Sequence, residues 1–434
     1  MSELRPSLGL THATAMVVGT IIGASIFVQP SEITRLMPSV SGILIAWLAA
    51  GVLTLAGALV CAELASAFPQ TGGVYVFLKE AYSPALGFLW GWAMFWSMHS
   101  GIIAAIATVF ARYAAEFFPL TDTGRRLTAV SVIVVLSAVN YVGVRHGGRI
   151  QNVFTAAKVL AIVAIISAGL AWHGPAQAAA SVGAAGESVR GLILAIAAGL
   201  FAYGGWHMVT YAAGETKDPA RTIPRALLIG TLLVTACYAG LNAIYLRVLP
   251  LDAVRASSRV AADAADVLLG GGGASLMAAL VMISTFGAVN GIILVGPRVY
   301  YSMARDGLLF KPLAAAHPVF GTPHRAIVLQ AIWASALALT NTYGALFSRV
   351  IYTEWIFFAL MAAGLMRLRR RPDYRPSYRI AGYPLVPVTF VIASIVIVAI
   401  QMSASPRDSL IGMAIVIAGL PVYGWWSRRR GATA

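Results

Sequence analysis

Two long apolar stretches of this chain are interrupted by glycine, and they are the first and the sixth that it contains. The first reads Val18-Gly19-Thr20-Ile21-Ile22-Gly23-Ala24-Ser25-Ile26-Phe27, and the sixth reads Gly199-Leu200-Phe201-Ala202-Tyr203-Gly204-Gly205-Trp206. Backbone that leaves a helix inside hydrocarbon frees N–H and C=O groups that have to be satisfied there. Five spans separate the two starts, so the two helices enter the bilayer from opposite sides. Glycine breaks at matching places in two oppositely oriented halves point to the binding site of a secondary transporter. A solute or ion lodged at the break can satisfy the freed groups.

Composition requires the membrane. The chain has 434 residues, is 59% hydrophobic and 11% charged, and has a mean hydropathy of +0.80. A soluble domain carries about 25% charged residues, and this chain has too few to cover a water-facing surface. At roughly 20 apolar residues per span, about twelve spans are expected: Thr11–Leu36, Ser41–Ser66, Pro84–Phe117, Arg126–Val144, Gln151–Trp172, Arg190–Ala213, Ile223–Leu249, Gly273–Met303, Arg325–Thr340, Phe347–Met366, Pro384–Met402 and Leu410–Trp426. We read residues 1–434 as one transmembrane domain. Five plus five inverted helices, over 11–172 and 190–366, are followed by two more over 384–426.

The net charge of +15 is mostly a topology signal. With both termini in the cytoplasm, most Lys and Arg fall on cytoplasmic ends and loops, the densest run being Arg367, Arg369, Arg370, Arg371, Arg375 and Arg379. The two cysteines, Cys61 and Cys237, fall within spans and are not placed as a loop disulfide. The first span is expected to direct insertion itself, without a cleaved signal. The outer loop Gly174–Glu187 is Ala/Gly-rich, and Leu251–Asp266 fits a short amphipathic outer helix. No metal-ligand cluster, nucleotide loop or soluble appendage is visible, so neither a cofactor nor a nucleic-acid partner is expected.

Gly19-x-x-x-Gly23 also fits a plain helix-packing pattern. Unwinding after Gly23, however, would present the N–H groups of Gly23, Ala24 and Ser25 at the start of a half-helix, a carboxylate site. The carbonyls freed around Ile21 would suit an ammonium. In the sixth span Gly204-Gly205 is unfavourable inside a helix by roughly 1 kcal/mol per glycine, and Phe201, Tyr203 and Trp206 crowd around it. A glycine kink packed by aromatics is the competing reading. Lys158 is the one basic residue inside a span. Its insertion costs about 2.5–3.5 kcal/mol, unless it snorkels to the cytoplasmic interface.

Further strings carry a resemblance. They are GTIIGASIF in the first span, Glu63-Leu64-Ala65-Ser66-Ala67-Phe68-Pro69-Gln70-Thr71-Gly72-Gly73-Val74-Tyr75 at the end of the second, and FAYGGW followed by Gly214-Glu215-Thr216-Lys217-Asp218-Pro219 in the sixth. The eighth carries Thr285-Phe286-Gly287-Ala288-Val289-Asn290-Gly291, and the tenth carries Glu354-Trp355. In these, over nearly its whole length, the chain resembles the amino acid–polyamine–organocation superfamily, and within it the L-type amino acid transporter group and its bacterial relatives. The resemblance implies an all-α, LeuT-type fold of twelve transmembrane helices, with helices 1 and 6 unwound at mid-membrane. It implies an amino acid substrate whose carboxylate meets the N–H groups of Gly23, Ala24 and Ser25, and whose amine meets carbonyls near Ile21, Phe201 and Gly204. Phe201 looks like the lid. Lys158 matches a helix-5 lysine that stands where sodium-dependent members hold sodium, donating to carbonyls of the helix 1 break and to Ser284 or Thr285. Glu63 is expected in a salt bridge to a cytoplasmic Arg, as a gate.

Three positions depart from the pattern. Ser25 replaces a common glycine and narrows the site. His207 replaces a common asparagine, as a packed neutral ring or a source of pH dependence. Glu354 either hydrogen-bonds within the bundle or faces the pocket, where it would favour polar or cationic side chains. The expected activity is sodium-independent transport of neutral or polar L-amino acids by alternating access, as an exchanger or a proton symporter. Cationic amino acids, amines or polyamines are the alternative substrates. An intramembrane enzyme or a channel is a distant alternative, because ionisable residues within spans are few and scattered. No cysteine stands in the outer loop between spans three and four, so a disulfide-linked accessory subunit is not expected. The compact loops point to a prokaryotic inner membrane.

Overall fold

The computed structural model describes residues 6–174, 188–340 and 343–431. Most of the expected outer loop, 175–187, lies outside them. The described residues are helical, without a strand. In order the helices are α1 (Leu10–Ile21), α2 (Ser25–Leu36), α3 (Val40–Ala67), α4 (Val74–Ala81), α5 (Pro84–Ala93), α6 (His99–Ala114), α7 (Asp122–Val142), α8 (Val144–Ala171), α9 (Val189–Ala202), α10 (Pro219–Val248), α11 (Leu251–Ala256), α12 (Val260–Leu269), α13 (Gly273–Val295), α14 (Pro297–Arg305), α15 (His324–Thr340), α16 (Tyr343–Leu368), α17 (Leu385–Ala404), α18 (Pro406–Ile417) and α19 (Gly419–Gly431). A π-helical turn, Met94–Met98, joins α5 to α6, and a 3₁₀ segment, Trp206–Glu215, follows α9.

Among the described residues, nine helical stretches are long and apolar enough to cross a membrane, and α1 with α2, bent by 43°, makes a tenth if taken as one span. In hydrocarbon a backbone satisfies itself only as a helix or a closed barrel. The ends are finished by side chains: Ser39, Ser83, Thr121 and Ser188 each accept an N–H of the first turn, opening α3, α5, α7 and α9. The expected amphipathic outer helix is two helices, α11 and α12, broken at Ser257 to Arg259. The short α4, after the Gly72-Gly73 turn, went unforeseen because eight residues are too few for a hydropathy signal.

Without a hydrophobic force between helices in lipid, close packing of small residues holds them together. A Cβ on Gly51 of α3 would stand 2.6 Å from Thr235 Cγ2 of α10, and one on Gly57 would stand 2.7 Å from Phe390 of α17. Glycine thus lets these helices approach. Ile45, Leu48, Val52, Leu160, Leu232 and Ile332 face outward and exposed, as a lipid-facing surface requires.

The first and last described segments lie at one end of the bundle. Leu8 pairs with Thr216 beyond the 3₁₀ segment, and Trp426 donates to Gly307 O at 3.1 Å. The centre is held by α1, α8, α10 and α13, with α9 against α2 and α3 and with α6 against α16.

Candidate substrate site

The first helix stops at Ile21 and restarts at Ser25, leaving Ile22, Gly23 and Ala24 between. A helix end leaves its last carbonyls and its first N–H groups without intrahelical partners. Here side chains from three other helices take up the carbonyls. Tyr238 of α10 donates to Ile21 O at 3.0 Å. Ser284 of α13 donates to Ile22 O and Gly23 O at 3.2 and 3.1 Å. Lys158 of α8, 2% exposed, donates to Gly19 O at 3.1 Å, Ile22 O at 2.6 Å and Ser284 O at 3.1 Å. An ammonium has three N–H donors, and all three are used. The N–H groups of Gly23, Ala24 and Ser25 stand at the start of α2, where a helix presents donors and partial positive charge.

The sixth long helical stretch breaks at Tyr203, Gly204 and Gly205. Gly205 has φ +102°, a backbone that costs a side chain dearly, and a Cβ there would stand 3.0 Å from Thr20 O. The two breaks are tied to each other. Thr20 Oγ1, whose shortest bond goes back to Met16 O of its own helix at 2.7 Å, also lies 3.1 Å from Gly205 O, and the Tyr238 hydroxyl reaches Ala202 O as well as Ile21 O, both at 3.0 Å.

Between the breaks lies a small cavity of about 40 Å³. One water needs roughly 10–15 Å³ on this measure, so a few would fill it. Thr20, Ile21, Gly23 and Ser25 line it from the first break, Phe201, Gly204 and Gly205 from the second, Ile102 and Ile106 from α6, and Glu354 and Trp355 from α16. A π turn, Met94–Met98, precedes α6, whose Ile102 and Ile106 reach the cavity; such turns recur at functional sites.

Of the residues singled out in the sequence, Ile21, Gly23, Ser25, Phe201, Gly204 and Glu354 reach the cavity wall, and buried Ala24 sits between two that do. Tyr203 and His207 do not. The Tyr203 ring packs onto Trp47 and Tyr238, away from the cavity. His207 stands behind Glu354, enclosed by Trp90, Trp206, Tyr211 and Phe358. Its Nε2 is 3.8 Å from Glu354 Oε1. Thr285 differs from Ser284: its hydroxyl stays on its own helix, at Val281 O and Met282 O. Thr20 and Tyr238 were missed. Their only signal was a hydroxyl inside an apolar span, and many such hydroxyls merely bond back to their own helix.

Towards the end that carries Leu8 and Trp426, ion pairs link the helices. Glu63 of α3 accepts from Arg369 Nε at 2.7 Å and from the N–H of Ile380 at 2.8 Å. Those bonds to Glu63 hold the Arg369 guanidinium above its ordinary pKa. Glu215 takes a bidentate bond from Arg298 at 2.8 and 3.1 Å, each side chain 1% exposed. Arg298 also donates to Leu294 O. Lys79 and Tyr75 both reach Asp306, at 2.8 and 2.6 Å.

The chain is similar to known transporters over nearly its whole length. The serine/threonine exchanger SteT of Bacillus subtilis (strain 168) is 32% identical over 99% of this chain and 98% of its own length. The human large neutral amino acids transporter small subunit 2 is 33% identical over 97% of this chain and 80% of its own length. The human b(0,+)-type amino acid transporter 1 is 32% identical over 97% and 88%. All three are membrane transporters, not enzymes. The family description "amino acid permease" matches residues 8–421, and the chain belongs to that family of amino acid transporters.

Proposed function

We propose that this protein exchanges small neutral or polar L-amino acids across a prokaryotic plasma membrane without sodium. The observation that carries the sodium independence is Lys158, whose ammonium occupies the carbonyls of the first break with all its donors. A sodium ion there would need those same oxygens. The substrate carboxylate would take the N–H groups of Gly23, Ala24 and Ser25. Its amine would take what carbonyl capacity remains near Ile21, Phe201 and Gly204, with Phe201 as lid. Ser25 in the wall and the small cavity favour a short side chain, in keeping with a relative named for serine and threonine exchange.

The same reading takes the chain as twelve helices, with α15 and α16 as the ninth and tenth spans. Helices over 11–172 and 190–366 form two inverted halves, and α17 to α19 stand outside the repeat. The distribution of basic residues favours both termini in the cytoplasm. The Glu63–Arg369, Glu215–Arg298 and Asp306–Lys79 pairs then form the inner gate, which opens as access alternates. Cys61 and Cys237 are buried and free, which favours a carrier that works without a disulfide-linked subunit.

Purified protein in liposomes loaded with unlabelled serine, challenged with labelled amino acids in sodium or choline buffer at one pH, tests this. Exchange of serine, threonine or alanine that is equal in both buffers is expected. Exchange that collapses in choline refutes sodium independence, and no exchange of any amino acid refutes the substrate class.

A further inference from the structure

Glu354 lines the cavity, yet its Oε1 is buried without a hydrogen-bond donor. Both ring nitrogens of His207, 3.8 Å behind it, are buried and equally unpartnered. The side chains are 7% and 0% exposed. The titratable groups that face His207 are Glu354 from α16, His99 from α6 and Tyr211 from its own segment; Trp90 of α5 and Phe358 of α16 complete the enclosure. Tyr211 in turn faces Cys61 of α3 and Tyr300 of α14. Among the described residues, no Lys or Arg pairs with Glu354.

Proton counting then limits the pair. With one proton shared between them, Glu354 and His207 are neutral in sum, either as carboxylic acid and imidazole or as carboxylate and imidazolium. With none they bury a negative charge, and with two a positive one. An uncompensated buried charge costs several kcal/mol, so while the cavity is closed the pair keeps one proton. When the cavity opens to water, the carboxylate can be hydrated and the proton can leave.

We propose that Glu354 and His207 form a one-proton site in the cavity wall, and that a substrate with a cationic side chain replaces that proton. A neutral amino acid would cross with the pair protonated. A cationic one would set its side-chain ammonium against the Glu354 carboxylate, and the displaced proton would go to the water on the side from which the substrate entered. Each closed state carries the same charge. Exchange of neutral for neutral then moves no net proton. Exchange of cationic for neutral moves one proton in the direction of the neutral substrate, and is electroneutral. This rests on the amino acid exchange reading of the same cavity.

The test uses liposomes loaded with serine and a trapped pH dye, with the potential clamped by potassium and valinomycin. External labelled serine should exchange without a pH change inside. External 2,4-diaminobutyrate, a short cationic amino acid, should exchange and make the lumen more alkaline by about one proton per molecule. Lowering external pH should weaken diaminobutyrate as a competitor of serine exchange, by up to tenfold per pH unit, because proton and cation share one carboxylate. Glu354→Gln should lower the ratio of diaminobutyrate to serine exchange at least tenfold. Diaminobutyrate exchange without luminal alkalinisation, an unchanged ratio in Glu354→Gln, a pH-independent competition, or serine exchange with no diaminobutyrate exchange would each overturn the proposal. Absence of serine exchange would instead strike the underlying reading.

Discussion

Tyr238→Phe removes one oxygen from the structure, and that oxygen joins the two helix breaks. The hydroxyl carries a single proton and lies 3.0 Å from both Ile21 O and Ala202 O. Phenylalanine keeps the ring and therefore its packing against Trp47 and Tyr203, at centroid distances of 5.6 and 5.0 Å. The loss is confined to hydrogen bonding. One net bond is worth about 0.5–1.5 kcal/mol, and a buried acceptor left without a donor costs about 1–3 kcal/mol. Two carbonyls are affected but only one proton is lost, so about 2 kcal/mol is a fair sum. At 1.4 kcal/mol per decade, that is roughly a 30-fold loss of apparent affinity if the whole cost falls on the binding geometry. The assay is the concentration dependence of serine exchange in liposomes, with thermal unfolding in detergent beside it. KM should rise by between about fivefold and 30-fold, with a lower unfolding temperature. Tyr203→Phe is the control: its hydroxyl bond to Trp47 O is long, at 3.4 Å, and its KM should stay near that of the parent. A Tyr238→Phe protein with KM within about twofold of the parent and unshifted unfolding would refute the claim that this hydroxyl ties the breaks together.

Other perturbations follow from the same geometry. Lys158→Met removes three charge-assisted bonds, each worth about 1.5–3 kcal/mol, but also relieves a buried charge; exchange should fall at least tenfold while unfolding shifts little, and parental exchange rates would refute it. Gly205→Ala forces a Cβ into a φ of +102° and against Thr20 O, at a cost of about 1–3 kcal/mol; exchange should be lost, whereas Gly424→Ala, with open space around it, should behave as the parent, and an active Gly205→Ala protein would sink the argument. Glu215→Gln leaves the Arg298 guanidinium buried and unbalanced, at about 3–5 kcal/mol. Its unfolding temperature should drop sharply, and the Glu215→Met/Arg298→Met double variant should recover much of the loss; a single variant that melts like the parent would show the pair to be idle.

How much of this was legible in the chain depends on how local each signal is. Spans can be read because hydropathy is summed over some twenty adjacent residues. The same summation hides α4, and it hides the restart at Pro297 that separates α13 from α14. The interruptions themselves could be read because the adjacent Gly204-Gly205 and the run of small residues from Gly23 to Ser25 are costly to hold in a helix, unlike the single Gly51 and Gly57 inside unbroken α3. Glu63 announced a salt bridge, since a carboxylate at a helix end needs a cation, but Arg369 lies 306 residues away. Only the fold could choose it from the many arginines in the basic run.

The site shows the limit most sharply in two tyrosines. Tyr203 stands beside a glycine pair at a break, so it reads as part of a site. Tyr238 sits in the middle of an unbroken apolar helix, so it reads as packing. The structure reverses their places. The Tyr203 ring packs on Trp47, while α10 runs past both breaks and brings the Tyr238 hydroxyl to the carbonyls they free. A glycine break marks where backbone groups lose their partners. It carries no information about which side chain will supply new ones, because any helix crossing within reach can do so. Here three helices supply them at the first break: α8 through Lys158, α10 through Tyr238 and α13 through Ser284. Among these, only the lysine carried a charge costly enough in hydrocarbon to mark it in the sequence.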